Sequence, residues 1–327
     1  MSTVNTFQSS EPLLLESGEI LQDYHLTYHT FGELNENQDN IIWVFHAISG
    51  SSNVMEWWGG LFGDGQQYDP KDYFIICVNT LCSPYGSTRP ENLDFPLISV
   101  RDVVNSQLAL AKHLGIYRIH SLIGSSFGGN QALEFAYAFK GKIDHLLLLV
   151  STYRESAFSI ATHEAQRIAL QADPTFGQKD GGKAGLKAAR AMAVLNYRTH
   201  DLFVEQQTNE DDRLDDFKAA SYIQHMGEKF VKRFDALCYY YLTKCLDTYD
   251  FARGRGSLKD ALGQIEIPTM VLGIDSDVLI PIRYQRTLAK HLPNVTYFEI
   301  SSEYGHDGFL VEKDLIQEKI NAFYNTQ

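Results

Sequence analysis

The sequence predicts an α/β protein in which a mostly parallel sheet is covered by helices and interrupted by a helical insertion. Short β-rich runs alternate with helical patterns along the first part of the chain. The strand signal then disappears after Ser151 and resumes only near Pro268. Strands separated by helices indicate a parallel sheet covered on both faces, and 327 residues suffice to bury a sizeable core.

Each predicted element follows from its local pattern. Helical spacing of apolar residues predicts helices over 100–114 and 127–138, and the less regular alternation over 20–31 predicts an antiparallel edge strand. Strands are predicted at 41–45, 73–78, 118–123, 145–150, 268–274 and 295–300. Residues 1–151 and 256–327 are therefore expected to form one core domain, and 152–255 a helical insertion that covers it as a lid.

Composition and charge exclude several classes of function. A net charge of -13 repels phosphate backbones and anionic lipid heads, so neither nucleic acid nor membrane is an expected partner. The four cysteines lack paired C-x-x-C spacing, and no charged-then-apolar leader opens the chain, which predicts a reduced, cytoplasmic protein. Cys238 and Cys245 are expected to be core residues, and the eleven histidines form no metal-binding motif, so no metal is expected.

The stretch LIGSSFGGNQALEF, residues 122–135, passes directly from a predicted strand into a predicted helix. Gly124 to Gly128 fits the pattern G-x-S-x-G, in which a strained turn projects the middle serine above a sheet. The pattern predicts Ser126 as a nucleophile and Ser125 as a small residue beneath it. The alternative is that small residues simply allow the turn to close.

A serine nucleophile needs a base, an acid that orients the base, and donors for the oxyanion. Asp277 follows the strand predicted at 268–274 and is preferred to Asp275, which lies nearer the strand end. His306 lies on a loop after the last predicted strand. The backbone N–H groups of Ile48 and Phe127 are the expected oxyanion donors. In isolation, the acids could instead only terminate a strand, and the histidine could be an ordinary surface residue.

Several stretches together resemble the homoserine O-acyltransferase (homoserine O-acetyltransferase) family of the α/β-hydrolase fold. They extend from about Tyr24 to Leu310 and include YHTFGELN, HAISG, YGST, GNQALEFA, LNYRT, GEKFVKRFDA, GIDSDVLIP and YGHDGFL. The resemblance implies transfer of an acetyl group from acetyl-CoA to homoserine in methionine biosynthesis. It also implies no cofactor beyond the acyl-CoA substrate and a homodimer formed through helices of the insertion.

By the same resemblance, Ser126, Asp277 and His306 match the catalytic triad. Arg198 matches the arginine that meets the substrate carboxylate, and Asp307 matches the group that meets the substrate amine. Ser125, Phe127, Arg89 and Leu237 stand where the family has other residues, which leaves the donor and acceptor open. The alternatives are a serine O-acyltransferase or a homoserine O-succinyltransferase, in which Arg89 would pair with the succinyl carboxylate. An esterase and a catalytically inactive binding protein are further alternatives.

Overall fold

The computed structural model describes residues 2–327 and consists of one large sheet, one short hairpin and surrounding helices. The strands are β1 (Ser2–Gln8), β2 (Leu13–Leu14), β3 (Ile20–Leu21), β4 (His25–Phe31), β5 (Ile41–Phe45), β6 (Phe74–Val78), β7 (Arg118–Ser125), β8 (Lys142–Leu149), β9 (Thr269–Ile274) and β10 (Val295–Ile300). The helices are α1 (Val54–Trp57), α2 (Val100–His113), α3 (Phe127–Ala138), α4 (Ala157–Gln171), α5 (Lys183–Val194), α6 (His200–Gln207), α7 (Lys218–Val231), α8 (Ala236–Asp247), α9 (Leu258–Leu262), α10 (Ile282–His291), α11 (Gly308–Val311) and α12 (Lys313–Tyr324), with a 3₁₀ turn at Gly305–Asp307.

The large sheet has eight strands in the order β1-β4-β6-β5-β7-β8-β9-β10. The six strands from β6 to β10 in this order run parallel, and β4 and β1 join them in antiparallel pairing. The predicted α/β class with a mostly parallel sheet is confirmed. The antiparallel strand expected within 20–31 is confirmed as β4, which pairs antiparallel with β6. Its expected position at the edge is wrong, because β1 covers β4 along seven residue pairs, and β3 forms a separate hairpin with β2.

The central strands are buried on both faces, which explains their nearly continuous hydrophobic sequences. All five residues of β5 and all six of β9 are buried. The helix predicted at 127–138 has those bounds, and the one predicted at 100–114 ends at His113. A capping box starts this second helix, because the Ser99 side chain accepts from the N–H of Asp102 and Asp102 accepts from the N–H of Ser99.

Five helices, α4 to α8, occupy the interval between β8 and β9. They pack mainly on one another: α5 lies against α4 and α7, and α8 lies against α4. Cys238 and Cys245 of α8 are buried among apolar residues, as the sequence predicted. In residues 2–327 there is no helix with the length and apolar character needed to cross a membrane.

Candidate active site

Ser126 lies in a sharp turn between β7 and α3, at the carboxyl ends of the parallel strands. Its backbone has φ of 54° and ψ of -125°, a strained conformation for a residue with a side chain. Its N–H donates to the carbonyl of Leu149 at 3.0 Å, which ties the turn to β8. A side chain at Gly124 or Gly128 would collide with backbone carbonyls, so the G-x-S-x-G glycines are required by close approach of strand and helix.

The two serines of this turn have different environments. Ser125 ends β7, is fully buried, and its hydroxyl has no hydrogen-bond partner among residues 2–327. The Ser126 hydroxyl lies 2.9 Å from Nε2 of His306, and Ser126 lines a cavity of about 690 Å³. The structure therefore presents only the middle serine of the motif to a ligand.

Asp277, His306 and Ser126 form a continuous chain of hydrogen bonds. Nδ1 of His306 lies 2.7 Å from Oδ2 of Asp277, and both side chains are buried. The other carboxylate oxygen of Asp277 accepts from the N–H groups of Leu279 and Ile280 at 2.9 and 2.8 Å. With Asp277 accepting from Nδ1–H, Nε2 is left as the acceptor that faces Ser126.

The neighbouring acid of the same loop is not part of this chain. Oδ2 of Asp275 accepts from the hydroxyl of Ser301 at 2.7 Å, and Asp275 is exposed. The preference for Asp277 over Asp275 as the residue that reaches His306 agrees with this geometry.

Acidic groups around His306 change its protonation. Burial lowers the pKa of His306, but the charge and hydrogen bond of Asp277, with the charges of Asp307 and Glu155, outweigh burial and leave this pKa above 6.5. The imidazolium that forms when His306 accepts a proton is therefore stabilised.

Two unpaired backbone N–H groups border Ser126. Phe127 begins α3, and Ile48 lies on the loop that follows β5. Within the described part of the chain, neither N–H donates a hydrogen bond, and both residues line the same cavity as Ser126. The structure thus brings together Ser126, His306, Asp277 and the two predicted oxyanion donors.

The loop after β5 is held by a buried histidine. His46 accepts from the N–H of Thr80 at Nε2 (3.1 Å), so Nδ1 carries the proton and donates to the carbonyl of Ala47 at 2.8 Å. Burial lowers the pKa of His46 to about 4, although the bond to Ala47 opposes this shift. His46 is therefore neutral near pH 7 and has a fixed tautomer.

The cavity above Ser126 has a volume of about 690 Å³ and lies between the sheet and helices α4, α5, α7 and α8. Its lining combines the loop after β5, the residues around Ser126 and His306, and polar side chains of the intervening helices. Acidic side chains come from Glu56, Glu155 and Asp307, and basic ones from Arg190, Lys229 and Arg233. A charged small molecule can therefore be bound beside the nucleophile.

Asp307 and Arg198 contact each other, but they differ in their relation to the cavity. Nε of Arg198 lies 3.6 Å from Oδ2 of Asp307, and its Nη1 donates to Oε1 of Gln206 at 3.0 Å. Asp307 lines the cavity, whereas Arg198 is not among its lining residues in the described chain. Burial raises the pKa of Asp307 above its ordinary range, against the charges of His306, Arg198 and Arg190.

Arg190 is the basic residue that the sequence reasoning missed. Its guanidinium lies over the rings of Tyr197 and Phe230, 5.0 and 4.7 Å from their centroids, and Nη1 donates to the Tyr197 hydroxyl at 3.4 Å. Its buried Nε has no hydrogen-bond partner among residues 2–327. An arginine at a cavity wall suits an anionic ligand. Only the amphipathic pattern of α5 hinted at this residue.

Arg89 and Leu237 lie away from this cavity lining. Arg89 is exposed. Burial raises the pKa of the Cys238 thiol, and the charge and hydrogen bond of Arg89 oppose this shift. Leu237 is buried in the apolar core. A role of Arg89 in holding a succinyl group gains no support from this placement.

Residues 40–313 match the family model described as alpha/beta hydrolase fold, so the protein is an α/β hydrolase by fold. A homoserine O-acetyltransferase of Cyclobacterium marinum is 40% identical over 334 residues, which are 98% of this chain and 95% of that relative. The chain belongs to the homoserine O-acetyltransferase family of α/β-hydrolase proteins.

Solved structures show the same fold. The crystal structure of homoserine O-acetyltransferase from Bacillus anthracis superimposes with a TM-score of 0.91 at 23% identity, covering 99% of this chain and 98% of the other. The crystal structure of esterase E22 gives 0.88 at 21% identity, covering 99% and 100%. Because both kinds of enzyme share the fold, the fold alone does not separate transfer from hydrolysis.

Proposed function

We propose that this enzyme transfers an acetyl group from acetyl-CoA to the hydroxyl of L-homoserine through an acyl-enzyme on Ser126. The carrying observation is the Ser126–His306–Asp277 chain opening into a cavity that also holds Arg190 and Asp307. A nucleophile in a cavity that carries both cationic and carboxylate side chains fits an amino-acid acceptor better than water. Homology to homoserine O-acetyltransferases supports the same reaction.

In the first step, Oγ of Ser126 attacks the thioester carbonyl while Nε2 of His306 takes the hydroxyl proton. The N–H groups of Ile48 and Phe127 stabilise the negative oxygen of the tetrahedral intermediate. The C–S bond then breaks, His306 returns the proton to the sulfur, and CoA leaves. Asp277 holds the imidazole orientation throughout.

In the second step, the homoserine hydroxyl attacks the acetyl carbonyl of the acyl-enzyme. His306 removes the hydroxyl proton and then gives it to Oγ of Ser126 as the ester bond to the enzyme breaks. The products are O-acetylhomoserine and free enzyme. Acetyl-CoA is consumed as a substrate, and neither step as written uses a cofactor.

The acceptor is held at both ends of its zwitterion. Arg190, which lines the cavity, binds the carboxylate, and Asp307 binds the ammonium group. Arg198, which the family resemblance assigns to the carboxylate, acts behind Asp307 and orients it through their 3.6 Å contact. Orientation of the hydroxyl at the acyl-enzyme can contribute about 7 kcal/mol or more, which favours transfer over hydrolysis.

The segment 152–255 serves as the lid that shapes this cavity and limits access of water. Exposed apolar side chains on or beside its helices, including Phe158, Ile168 and Leu195, support a homodimer formed through this segment. Sedimentation velocity tests the dimer: a single monomeric species at micromolar protein contradicts it. A cytoplasmic location is part of the same proposal.

The test compares Arg190→Met with the matched variant Arg198→Met. We expect Arg190→Met to raise the KM for homoserine and to lower acetyl transfer far more than hydrolysis of p-nitrophenyl acetate, which has no carboxylate. Leaving a substrate charge uncompensated in a desolvated site costs about 2–5 kcal/mol. Arg198→Met should have a smaller effect. Equal losses of both activities in Arg190→Met, or serine accepted as well as homoserine by the unmodified enzyme, would contradict the assignment.

A further inference from the structure

One arginine from the helical segment contacts the loop that follows β5. Arg233 lies two residues beyond the end of α7, and its Nη1 donates to the carbonyl of Ser49 at 2.7 Å and to the hydroxyl of Tyr85 at 2.6 Å. Its guanidinium also lies over the ring of Phe230, 5.0 Å from the centroid. Ser49 directly follows Ile48, so a single peptide group separates the Ser49 carbonyl from the peptide group of the proposed oxyanion donor.

Hydrogen bonds connect the Ser49 carbonyl to the Ile48 N–H through two peptide groups. The Ser49 carbonyl shares a peptide group with the Gly50 N–H, which donates to the carbonyl of Ala47 at 2.8 Å. The Ala47 carbonyl, which also accepts from His46 at 2.8 Å, shares a peptide group with the Ile48 N–H. The carbonyl of Ser51 accepts from the indole N–H of Trp57 at 2.8 Å. Within residues 2–327, the carbonyl of Ser49 accepts only from Arg233. Arg233 therefore holds the peptide group whose N–H in turn helps to hold the peptide group that carries the Ile48 N–H.

We propose that Arg233 is a positioning residue that aims the N–H of Ile48 at the oxyanion. This inference rests on the proposed function, because that reaction requires a donor at Ile48. An oxyanion donor is effective only if it is oriented before the charge develops. A hydrogen bond from a charged donor is shorter and stronger than a neutral one, which suits a contact that must hold a loop in place.

The contact also connects two parts of the molecule. Residues 152–255 contact the loop that carries His306, because the carbonyl of Tyr197 accepts from the N–H of Asp307 at 3.0 Å. Arg233 connects the same residues 152–255 to the loop that follows β5. Closure of the cavity by the helices and alignment of the oxyanion donor are thus coupled through one side chain.

Arg233→Met tests this inference because methionine retains an apolar stem and removes the donors. Lys232→Met is the matched control, since Lys232 is the exposed cation next to Arg233 and, within residues 2–327, its side chain neither lines the cavity nor makes a hydrogen bond to the loop. Three quantities are measured: kcat and KM for acetyl transfer to homoserine, kcat for p-nitrophenyl acetate hydrolysis, and the Kd of a small alkylboronic acid that forms a tetrahedral adduct on the serine.

We expect Arg233→Met to lower kcat about 10- to 100-fold in both reactions, since removing an oxyanion donor outright costs about 10²–10³. The boronic acid should bind more weakly by a similar factor, and the KM for homoserine should stay within twofold. Arg233→Lys should recover part of the loss, because an ammonium can donate to the same carbonyl. Lys232→Met should retain acetyl transfer, ester hydrolysis and boronic acid binding.

A higher KM for homoserine, with unchanged ester hydrolysis and boronic acid affinity, would overturn the inference, because Arg233 would then contact substrate directly. If Arg233→Met does not fold, Tyr85→Phe removes the hydroxyl that also holds the guanidinium. A few-fold loss of ester kcat is expected there, and unmodified values would contradict the inference. Failure of the proposed function is seen separately, as acetyl transfer that survives Ser126→Ala.

Discussion

The substitution Asp277→Asn replaces one carboxylate oxygen of the hydrogen-bonded chain by an NH₂ group. We expect it to lower kcat strongly while changing the free energy of unfolding little. In the native protein one carboxylate oxygen accepts from two backbone N–H groups and the other accepts from His306. An asparagine can place only one oxygen. With that oxygen toward Leu279 and Ile280 both backbone bonds survive, whereas the opposite orientation loses two bonds of about 1 kcal/mol each and opposes donors to donors.

The favoured orientation directs the amide NH₂ group of residue 277 at Nδ1 of His306. Nδ1 must then accept, so the imidazole proton moves to Nε2, which lies 2.9 Å from Oγ of Ser126. A protonated Nε2 cannot take the serine proton. The equivalent change in a serine protease costs about 10⁴ in kcat, or about 5 kcal/mol of transition-state stabilisation. The free energy of unfolding should change by no more than about 2 kcal/mol.

The assay is steady-state hydrolysis of p-nitrophenyl acetate and acetyl transfer to homoserine, with urea unfolding measured on the same samples. Asp275→Asn is the control, because Asp275 lies on the same loop and, within residues 2–327, its side chain accepts a hydrogen bond only from the Ser301 hydroxyl. It should retain most activity. If Asp277→Asn keeps more than about a tenth of kcat while remaining folded, the account of His306 and its tautomer is refuted.

Three further predictions follow from the site. The kcat/KM for acetyl transfer should fall as the pH drops through a value above 6.5, because His306 must be neutral to accept a proton. In a pH–rate profile, Glu155→Gln should lower the midpoint of this fall, because it removes a charge that raises the His306 pKa. Glu56→Gln is the control and should leave the midpoint unchanged, because Glu56 is an exposed acid that lines the same cavity and is not among the causes of this pKa shift. Ser125→Ala should retain most activity and be neutral or stabilising in urea unfolding by up to about 1 kcal/mol, because it removes a buried hydroxyl without a partner, and a loss equal to that of Ser126→Ala would show that the wrong serine was assigned. Gly128→Ala should destabilise the fold by about 1–3 kcal/mol or more in the same assay, since the new methyl group meets the backbone carbonyl of Phe45, and a variant within about 0.5 kcal/mol of the unmodified protein would contradict that packing argument.

Local patterns predicted the parts of the site that depend on local geometry. The strand-turn-helix around Ser126 is encoded by neighbouring residues, because the glycines permit a close approach that other residues would block. Asp277 and His306 were predicted from their positions after strands, since the carboxyl ends of parallel strands meet at one edge of a sheet. The structure brings these three residues within hydrogen-bond distance.

Features that depend on helix packing were not predictable in the same way. Arg190 and Arg198 lie eight positions apart, one on α5 and the other on the loop that follows, and the sequence does not say which of them faces the cavity. The packing of α5 against α7 decides this by placing Arg190 over Phe230 of α7. The edge strand β1 was also missed, because only Phe7 is buried among the residues whose burial is described and its sequence carries almost no hydrophobic alternation.

The division of acetyl groups between homoserine and water tests the central claim most directly. Mixing the enzyme with acetyl-CoA alone should give a protein whose intact mass is higher by one acetyl group, located on Ser126 by peptide mapping. Adding homoserine should remove this acetyl group and yield O-acetylhomoserine much faster than acetate forms without it. We expect CoA release to accelerate strongly when homoserine is present, and we expect no acetyl group on the Ser126→Ala variant. CoA release at the same rate with and without homoserine would contradict the account, because the enzyme would then be an esterase.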